Sequence, residues 1–169
     1  HGNNNAYCQD NSVSWFDWNA TEENAGLLRF TQALINFRKR HAAVRSKHYL
    51  TGKPTGERDL ADISWFDPRG NSVDWNSDEL PVVCLLSAGN DDKSVPGDDH
   101  SVLLLSNPTG NSCSFILPPV AQEISWRVFI DTNEKSPLDV YPELDGPMLN
   151  PRQSLVLGQH SFQCFVASE

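Results

Sequence analysis

The sequence has little positive charge and no long apolar run. Only 13 of its 169 residues are Lys or Arg, against 22 Asp or Glu, and the net charge is -9. Nucleic acids and anionic membranes attract basic patches, so neither is an expected partner. No segment approaches the roughly 18 consecutive apolar residues that suggest a membrane span. The composition remains compatible with uncharged ligands such as sugars.

The motifs that hold metals and phosphates are also missing. The four cysteines, Cys8, Cys84, Cys113 and Cys164, show no CxxC spacing, which favours reduced and mostly buried thiols over disulfides or zinc. No Gly-rich phosphate loop and no GxSxG nucleophile motif occurs. Residues 89–99 are rich in Asp but lack the EF-hand spacing, so calcium is not expected there. The sequence therefore predicts neither a metal site nor a cofactor.

One long helix is predicted near the front of the chain. Asn19 is a favourable N-cap and Glu22 follows three residues later, which predicts a capping-box start. The basic residues that precede His41 suit the end of a helix, so the helix should end at about Arg40.

The apolar residues of this helix form two stripes rather than one. Because a helix on a single sheet needs only one stripe, two stripes predict a helix that is packed on both sides. A helix buried deep in one core is the alternative. The first stripe contains Leu27, Phe30, Leu34 and Phe37, and the second contains Leu28 and Ile35.

After Leu50 the apolar pattern changes from a period of 3.6 to a period of 2, which predicts short strands. Strands without intervening helices indicate an antiparallel β-sandwich or barrel. The turn Asn107-Pro108-Thr109-Gly110 further predicts that the strands on either side of it form a hairpin. The predicted strands are residues 62–66, 82–86, 101–106, 112–117, 126–130, 154–157 and 161–166.

The first loop of the chain has a composition suited to sugar. Three consecutive asparagines, Asn3 to Asn5, are followed by Tyr7 and Trp15. Amides offer paired donors and acceptors to hydroxyl groups, and aromatic rings cover the faces of pyranoses. A turn-rich surface loop without a ligand is the plainer interpretation.

Several segments resemble isoamylase-type debranching enzymes of glycoside hydrolase family 13. Residues 2–11 (GNNNAYCQDN) and 15–18 (WFDW) are similar to the stretch after the eighth barrel strand of that family. Residues 37–41 (FRKRH) resemble the end of its last barrel helix, and residues 63–70 with Asp74 and Trp75 resemble the start of its C-terminal β-domain. The chain departs from the family pattern at Ser12 and Ala42, where an acidic residue and a proline are common.

The resemblance implies a division of the chain and a substrate. Residues 1–48 would be the last loop and helix of a (β/α)8 barrel, and residues 49–169 a C-terminal antiparallel β-sandwich. The parent would be a cytoplasmic enzyme that hydrolyses α-1,6 branch points of glycogen or a related α-glucan, without a metal. Five residues of the first loop would contact the substrate or shape the loop, namely Asn3, Asn4, Asn5, Tyr7 and Asp10.

The resemblance also implies that this chain is not catalytic by itself. The family's catalytic trio of two Asp and one Glu would lie upstream of His1, so we expect an excised C-terminal piece that packs against its own catalytic barrel and stabilises it. Two roles for the β-domain remain open. It could be a structural domain, which we favour, or an autonomous module that holds α-glucan through Trp65, Trp75 and Trp126.

Overall fold

The computed structural model describes residues 7–55, 60–78, 81–87 and 100–168. In this part of the chain β-strands outnumber helices. The helices are α1 (Ala20–Glu23), α2 (Ala25–Arg40) and α3 (Pro119–Gln122), and a 3-10 turn spans Ala42–Val44. The strands are β1 (Pro54–Thr55), β2 (Leu60–Ala61), β3 (Ile63–Phe66), β4 (Val82–Leu86), β5 (Val102–Asn107), β6 (Cys113–Phe115), β7 (Trp126–Asp131), β8 (Leu155–Leu157) and β9 (Ser161–Ala167).

Five strands form one antiparallel sheet in the order β3-β4-β5-β9-β7. Two smaller antiparallel sheets pair β1 with β2 and β6 with β8. Each of the seven predicted strands corresponds to a strand in the structure, from β3 to β9. The predicted fold class, mainly antiparallel β, is therefore confirmed.

Successive side chains of a strand point to opposite faces of the sheet. Residues of both faces of the main sheet belong to buried clusters, so the sheet is covered on both sides. On one face lie Val83 and Leu85 of β4, together with Phe115 of β6 and Leu157 of β8. The β6-β8 sheet thus covers this face and forms the second layer of a sandwich with unequal layers. Trp126 is fully buried in the same core, where its indole N–H donates a hydrogen bond to the carbonyl of Ala121 at 2.7 Å.

Helix α2 covers the opposite face of the main sheet. The ring of Phe37 stacks on Phe129 of β7 with centroids 4.1 Å apart, and Ala33 is buried in the same cluster. A register shift between Val128 and Ile130 interrupts the pairing of β7 with β9. Phe129 and Ile130 consequently both belong to the cluster beneath α2, although they are neighbours in sequence.

The helix ends where expected but does not begin as expected. It stops at Arg40, and the last turn carries Arg38 and Lys39 as well. At the front, the Asn19 side chain makes no cap hydrogen bond, so the predicted capping box is wrong. Instead the Asp17 carboxylate accepts the amide of Asn19 at 3.0 Å, and the helix is interrupted at Asn24 between α1 and α2.

The predicted hairpin after β5 is wrong as well. Strand β5 pairs with β4 and β9, whereas β6 pairs with β8. Buried Asn107 ends β5, and its amide nitrogen donates to the carbonyls of Asn111 at 2.8 Å and Gly158 at 2.7 Å. These bonds turn the chain out of the main sheet and into the second layer, so the flanking strands lie in different sheets.

Among the residues described, no helix is long and apolar enough to cross a membrane. The acidic stretch 89–99 lies outside the described residues.

Candidate functional site

The loop before α1 carries two of the five predicted substrate residues. Tyr7 is 82% exposed, and Asp10 is exposed as well. A carboxylate oxygen of Asp10 accepts the indole N–H of Trp15 at 2.7 Å, so Asp10 shapes the loop. The other three, Asn3, Asn4 and Asn5, lie outside the described residues.

Local hydrogen bonds give this loop its form. The Asn11 side chain accepts the amide of Val13 at 3.0 Å, and the Ser14 hydroxyl donates to the carbonyl of Gln9 at 2.7 Å. Every residue from 7 to 19 is nevertheless exposed. The loop is therefore ordered by short-range contacts and adds nothing to either core.

The loop and α2 together expose a large set of apolar side chains, which we call the apolar surface. Nine of the sixteen large exposed apolar or aromatic residues in the described ranges belong to it, although it covers fewer than 30 residues of chain. Such a concentration is unusual for a surface in contact with water only. The apolar surface comprises Tyr7, Val13, Trp15, Phe16 and Trp18 of the loop with Leu27, Leu28, Leu34 and Ile35 of α2.

The first predicted stripe of α2 does not form a single buried face, because two of its four residues pack on the core and two are exposed. Phe30 and Phe37 pack on the core of the main sheet, whereas Leu27 and Leu34 are 66% and 36% exposed. At 3.6 residues per turn, the two leucines point about 60° away from the two phenylalanines. That rotation places them at the edge of the face that meets the sheet, between the two phenylalanines and the second predicted stripe.

Helix α2 is also tied to the long connection between β7 and β8. A guanidinium nitrogen of Arg29 forms an ion pair with Asp139 and donates to the Ser136 hydroxyl. This contact bridges more than one hundred residues of sequence, and no local motif in the sequence indicates it. It holds α2 in one orientation against β7.

A second exposed aromatic feature lies at the end of β3. Trp65 and Trp75 contact each other edge to face, with ring centroids 5.6 Å apart. Trp65 is 37% exposed and Trp75 is 68% exposed, whereas Trp126 is fully buried. The three tryptophans named in the sequence analysis are therefore not brought together, and only the first two can reach a ligand.

A polar cavity of about 220 Å³ lies on the stretch of chain that joins and follows this pair, and Val73 and Asp74, which precede Trp75, line it, although neither indole does. Its lining includes the carboxylates Asp67 and Asp74, the guanidinium of Arg69 and the hydroxyls of Ser72 and Ser77. It thus offers both donors and acceptors of hydrogen bonds.

The clearest electrostatic features in the described residues are two carboxylates. Burial acts to raise the pKa of Asp62, but hydrogen bonds from Thr51, Gly52 and Ile63 together outweigh it and lower that pKa. Asp67 behaves in the same way, since burial acts to raise its pKa, but hydrogen bonds from Asn71 and Arg69 and the positive charge of Arg69 together outweigh burial and lower it. Both groups are therefore stable as carboxylates.

All four cysteines are free thiols. Cys84 and Cys164 are buried in β4 and β9, as predicted, while Cys113 is half-buried and Cys8 is exposed. Burial raises the pKa of Cys84 to about 12 and raises the pKa of Cys164 as well. The two buried thiols are accordingly protonated core residues and not nucleophiles.

No cluster of His, Cys, Asp or Glu with the geometry of a metal site occurs in the described ranges.

Comparison with known proteins identifies relatives in one functional group. No protein-family model matches the chain. The glycogen operon protein GlgX homolog of Mycobacterium bovis is 32% identical over 79% of this chain. A glycogen debranching enzyme of Cronobacter sakazakii is 38% identical over 52% of the chain, and an isoamylase of Pseudomonas amyloderamosa is 29% identical over 77%.

These relatives are much longer than the chain. The matched region amounts to 20% of the Mycobacterium protein, 12% of the Cronobacter enzyme and 16% of the Pseudomonas isoamylase. The chain is therefore homologous to one part of the isoamylase-type glycogen debranching enzymes.

Proposed function

We propose that the chain is the C-terminal region of a cytoplasmic debranching enzyme that hydrolyses α-1,6 branch points of glycogen or a related α-glucan. In this proposal residues 1–48 complete the catalytic barrel, and residues 49–169 are a β-domain that packs on the barrel and stabilises it. The substrate, glycogen or a related α-glucan, is inferred from relatives that are glycogen debranching enzymes and isoamylases. The mode of packing comes from the exposed residues of this chain.

The apolar surface is the observation that carries the proposal. Burying one Leu side chain contributes about 1.5 to 3 kcal/mol, so leaving nine large apolar side chains in water is unfavourable. Helix α2 already packs one face against Phe129, which leaves Leu28 and Ile35 on the opposite side, and Leu27 and Leu34 at the edge, for a partner. A catalytic barrel in the same polypeptide is a partner of the right kind.

Asp62 and Asp67 do not have the electrostatics of a catalytic acid. Glycoside hydrolysis needs a nucleophile or base and a general acid, and the acid requires a raised pKa. The shifts at Asp62 and Asp67 go in the opposite direction. Asp10, in the loop nearest the proposed active site, is engaged by the Trp15 indole. The catalytic groups are accordingly assigned to the remainder of the parent.

The loop that contains Asn3, Asn4, Asn5, Tyr7 and Asp10 is proposed to border the active site of the parent. Active sites of such barrels lie at the C-terminal ends of the strands, and this loop would follow the last of them. The strong exposure of Tyr7 and the anchoring of Asp10 by Trp15 are compatible with a loop that presents an aromatic ring to substrate.

The stabilising role is tested by two substitutions in the intact parent enzyme. Leu27→Asp should lower the melting temperature and reduce the amount of folded enzyme, because a charge would be buried at the barrel contact. Val156→Asp is the matched control, since both side chains are 66% exposed in this chain but Val156 lies on β8, outside the apolar surface. Equal melting temperatures for the two variants would contradict the proposed packing.

The catalytic assignment is tested separately on the 169-residue chain. We expect no release of reducing ends from glycogen, whereas the parent should release them. Debranching by the purified chain would contradict the proposal that the catalytic groups lie elsewhere.

A further inference from the structure

The Trp65–Trp75 pair is held in place by the backbone around it. After β3 ends at Phe66, a turn closed by a bond from the Gly70 amide to the Asp67 carbonyl, at 3.0 Å, reverses the chain. Ser72 then forms a bridge with Phe66, and the Val73 amide donates to the Trp65 carbonyl at 3.2 Å. This return brings Trp75 back beside Trp65.

The carboxylates beside the pair are also held by local hydrogen bonds. Asp67 accepts the amides of Arg69 and Asn71, both at 2.8 Å, and Asp74 accepts the amide of Asn76 at 2.9 Å. A carboxylate oxygen has more than one lone pair, so these groups can accept further hydrogen bonds from a ligand. Because these two side chains are already ordered, little free energy is lost in ordering them when a ligand binds.

The combination of an exposed indole with a polar cavity matches the two sides of a pyranose. The apolar C–H face of a sugar ring can cover an aromatic ring, while its hydroxyls need donors and acceptors at the rim. Because the lining combines one guanidinium with two carboxylates and two serines, it offers the donors and acceptors that a hydroxylated ligand needs. Its volume of about 220 Å³ is many times the roughly 10–15 Å³ that one water needs on the same measure, so a group larger than water can enter it.

We propose that Trp75, supported by Trp65, and the adjoining cavity form a binding site for a short α-glucan chain, separate from the catalytic centre of the parent. The choice of an α-glucan over other neutral sugars rests on the proposed function. Trp75 is the stacking ring because it is the more exposed of the two. Trp65 fixes its orientation by the edge-to-face contact.

The test is a titration of the 169-residue chain with maltoheptaose, followed through the indole N–H signals in nitrogen-15 NMR spectra. The sequence contains five tryptophans, so the signals can be assigned by substitution. The signals of Trp65 and Trp75 should shift and saturate. Cellohexaose, which has the opposite linkage stereochemistry, should bind at least tenfold more weakly.

Three variants define the site. Trp75→Ala should weaken maltoheptaose binding at least tenfold, and Trp75→Leu should do the same, because it keeps apolar bulk but removes the flat ring. Tyr49→Ala is the control, since Tyr49 is 99% exposed and lies elsewhere in the chain, and it should bind as the unsubstituted chain does. An unchanged Trp126 signal reports an intact core, because this indole is buried and bonded to Ala121.

Three results would overturn the site. These are the absence of shifts at Trp65 and Trp75, shifts confined to Trp15 and Trp18, and unchanged affinity in a folded Trp75 variant. Since the titration measures binding without turnover, such a result would leave the debranching proposal intact. Conversely, a parent that fails to hydrolyse branch points would refute the proposed function even if the site binds maltoheptaose.

Discussion

At the scale of single residues, Asp62 connects three segments of the chain. Its carboxylate accepts the amides of Thr51 and Gly52, both at 2.7 Å, while its own amide and carbonyl pair with Lys53 and Ser87. The side chain is buried, so water cannot replace these hydrogen bonds if they are lost. One aspartate thus joins the turn before β1 to the ends of β3 and β4.

We expect Asp62→Ala to destabilise the chain by about 1.5 to 3 kcal/mol, as for the loss of hydrogen bonds to a charged group. The folded-state pKa of Asp62 lies below its ordinary value of 3.8, so its contribution is fully present above that pH. The contribution disappears as the pH falls from about 4 through the lower folded-state pKa. Urea unfolding between pH 2 and 7 measures this effect.

Asp145→Ala, which removes an exposed carboxylate, is the control for that experiment. If both variants lost the same stability at neutral pH, or if the acid dependence survived in Asp62→Ala, the assignment to Asp62 would be wrong.

At the scale of elements, α2 has two functions on two faces. Its inner face joins the helix to β7 through Phe37 on Phe129, and Arg29 joins it to the connection after β7 through Asp139. Its outer face exposes Leu34 and Ile35 among others. A helix that served only the main sheet would carry polar residues there.

Substitutions on the two faces of α2 should differ strongly in the isolated chain. Phe37→Ala removes a buried ring and should cost about 3 to 5 kcal/mol, while Leu34→Ala should change stability by less than about 0.5 kcal/mol. Denaturant unfolding gives both values. Comparable losses would mean that the outer face of α2 is packed in the isolated chain as well.

At the scale of the whole molecule, the acidic charge and the apolar surface act in opposite directions. A net charge of -9 keeps copies of the chain apart, whereas nine exposed apolar side chains favour association. High salt screens the charge but not the apolar contact. The isolated chain should therefore associate through the apolar surface when the partner is missing.

We expect sedimentation to show dimers or larger species that increase with protein concentration and with salt. Replacing Leu27, Leu34 and Ile35 together by Gln should make the chain monomeric, whereas Val156→Gln should not. A strictly monomeric chain in which the amides of α2 are fully protected from hydrogen exchange would contradict this.

Much of the fold follows from patterns within a few residues. The short apolar runs of β4 and β5 and the basic end of α2 depend on neighbouring side chains only, so these strands and the end of the helix could be predicted. The capping box at Asn19 failed because Asn19 has helical angles, with φ at -65° and ψ at -28°, and because its amide donates to the Asp17 carboxylate. The predicted loop residues Asn3, Asn4 and Asn5 lie outside the described residues, so their role stays a prediction.

The sequence by itself determined the seven strands from β3 to β9, where the long helix ends, and which enzymes the chain resembles, but not the short strands β1 and β2. Only the tertiary structure decided that β5 pairs with β9, that Trp126 is buried while Trp75 is exposed, and which side of α2 meets the sheet. The physical reason is the distance along the sequence over which each kind of interaction acts. Local propensity and periodicity are set by residues a few positions apart, whereas strand partners such as Leu103 and Phe165 meet only through the packing of the whole chain.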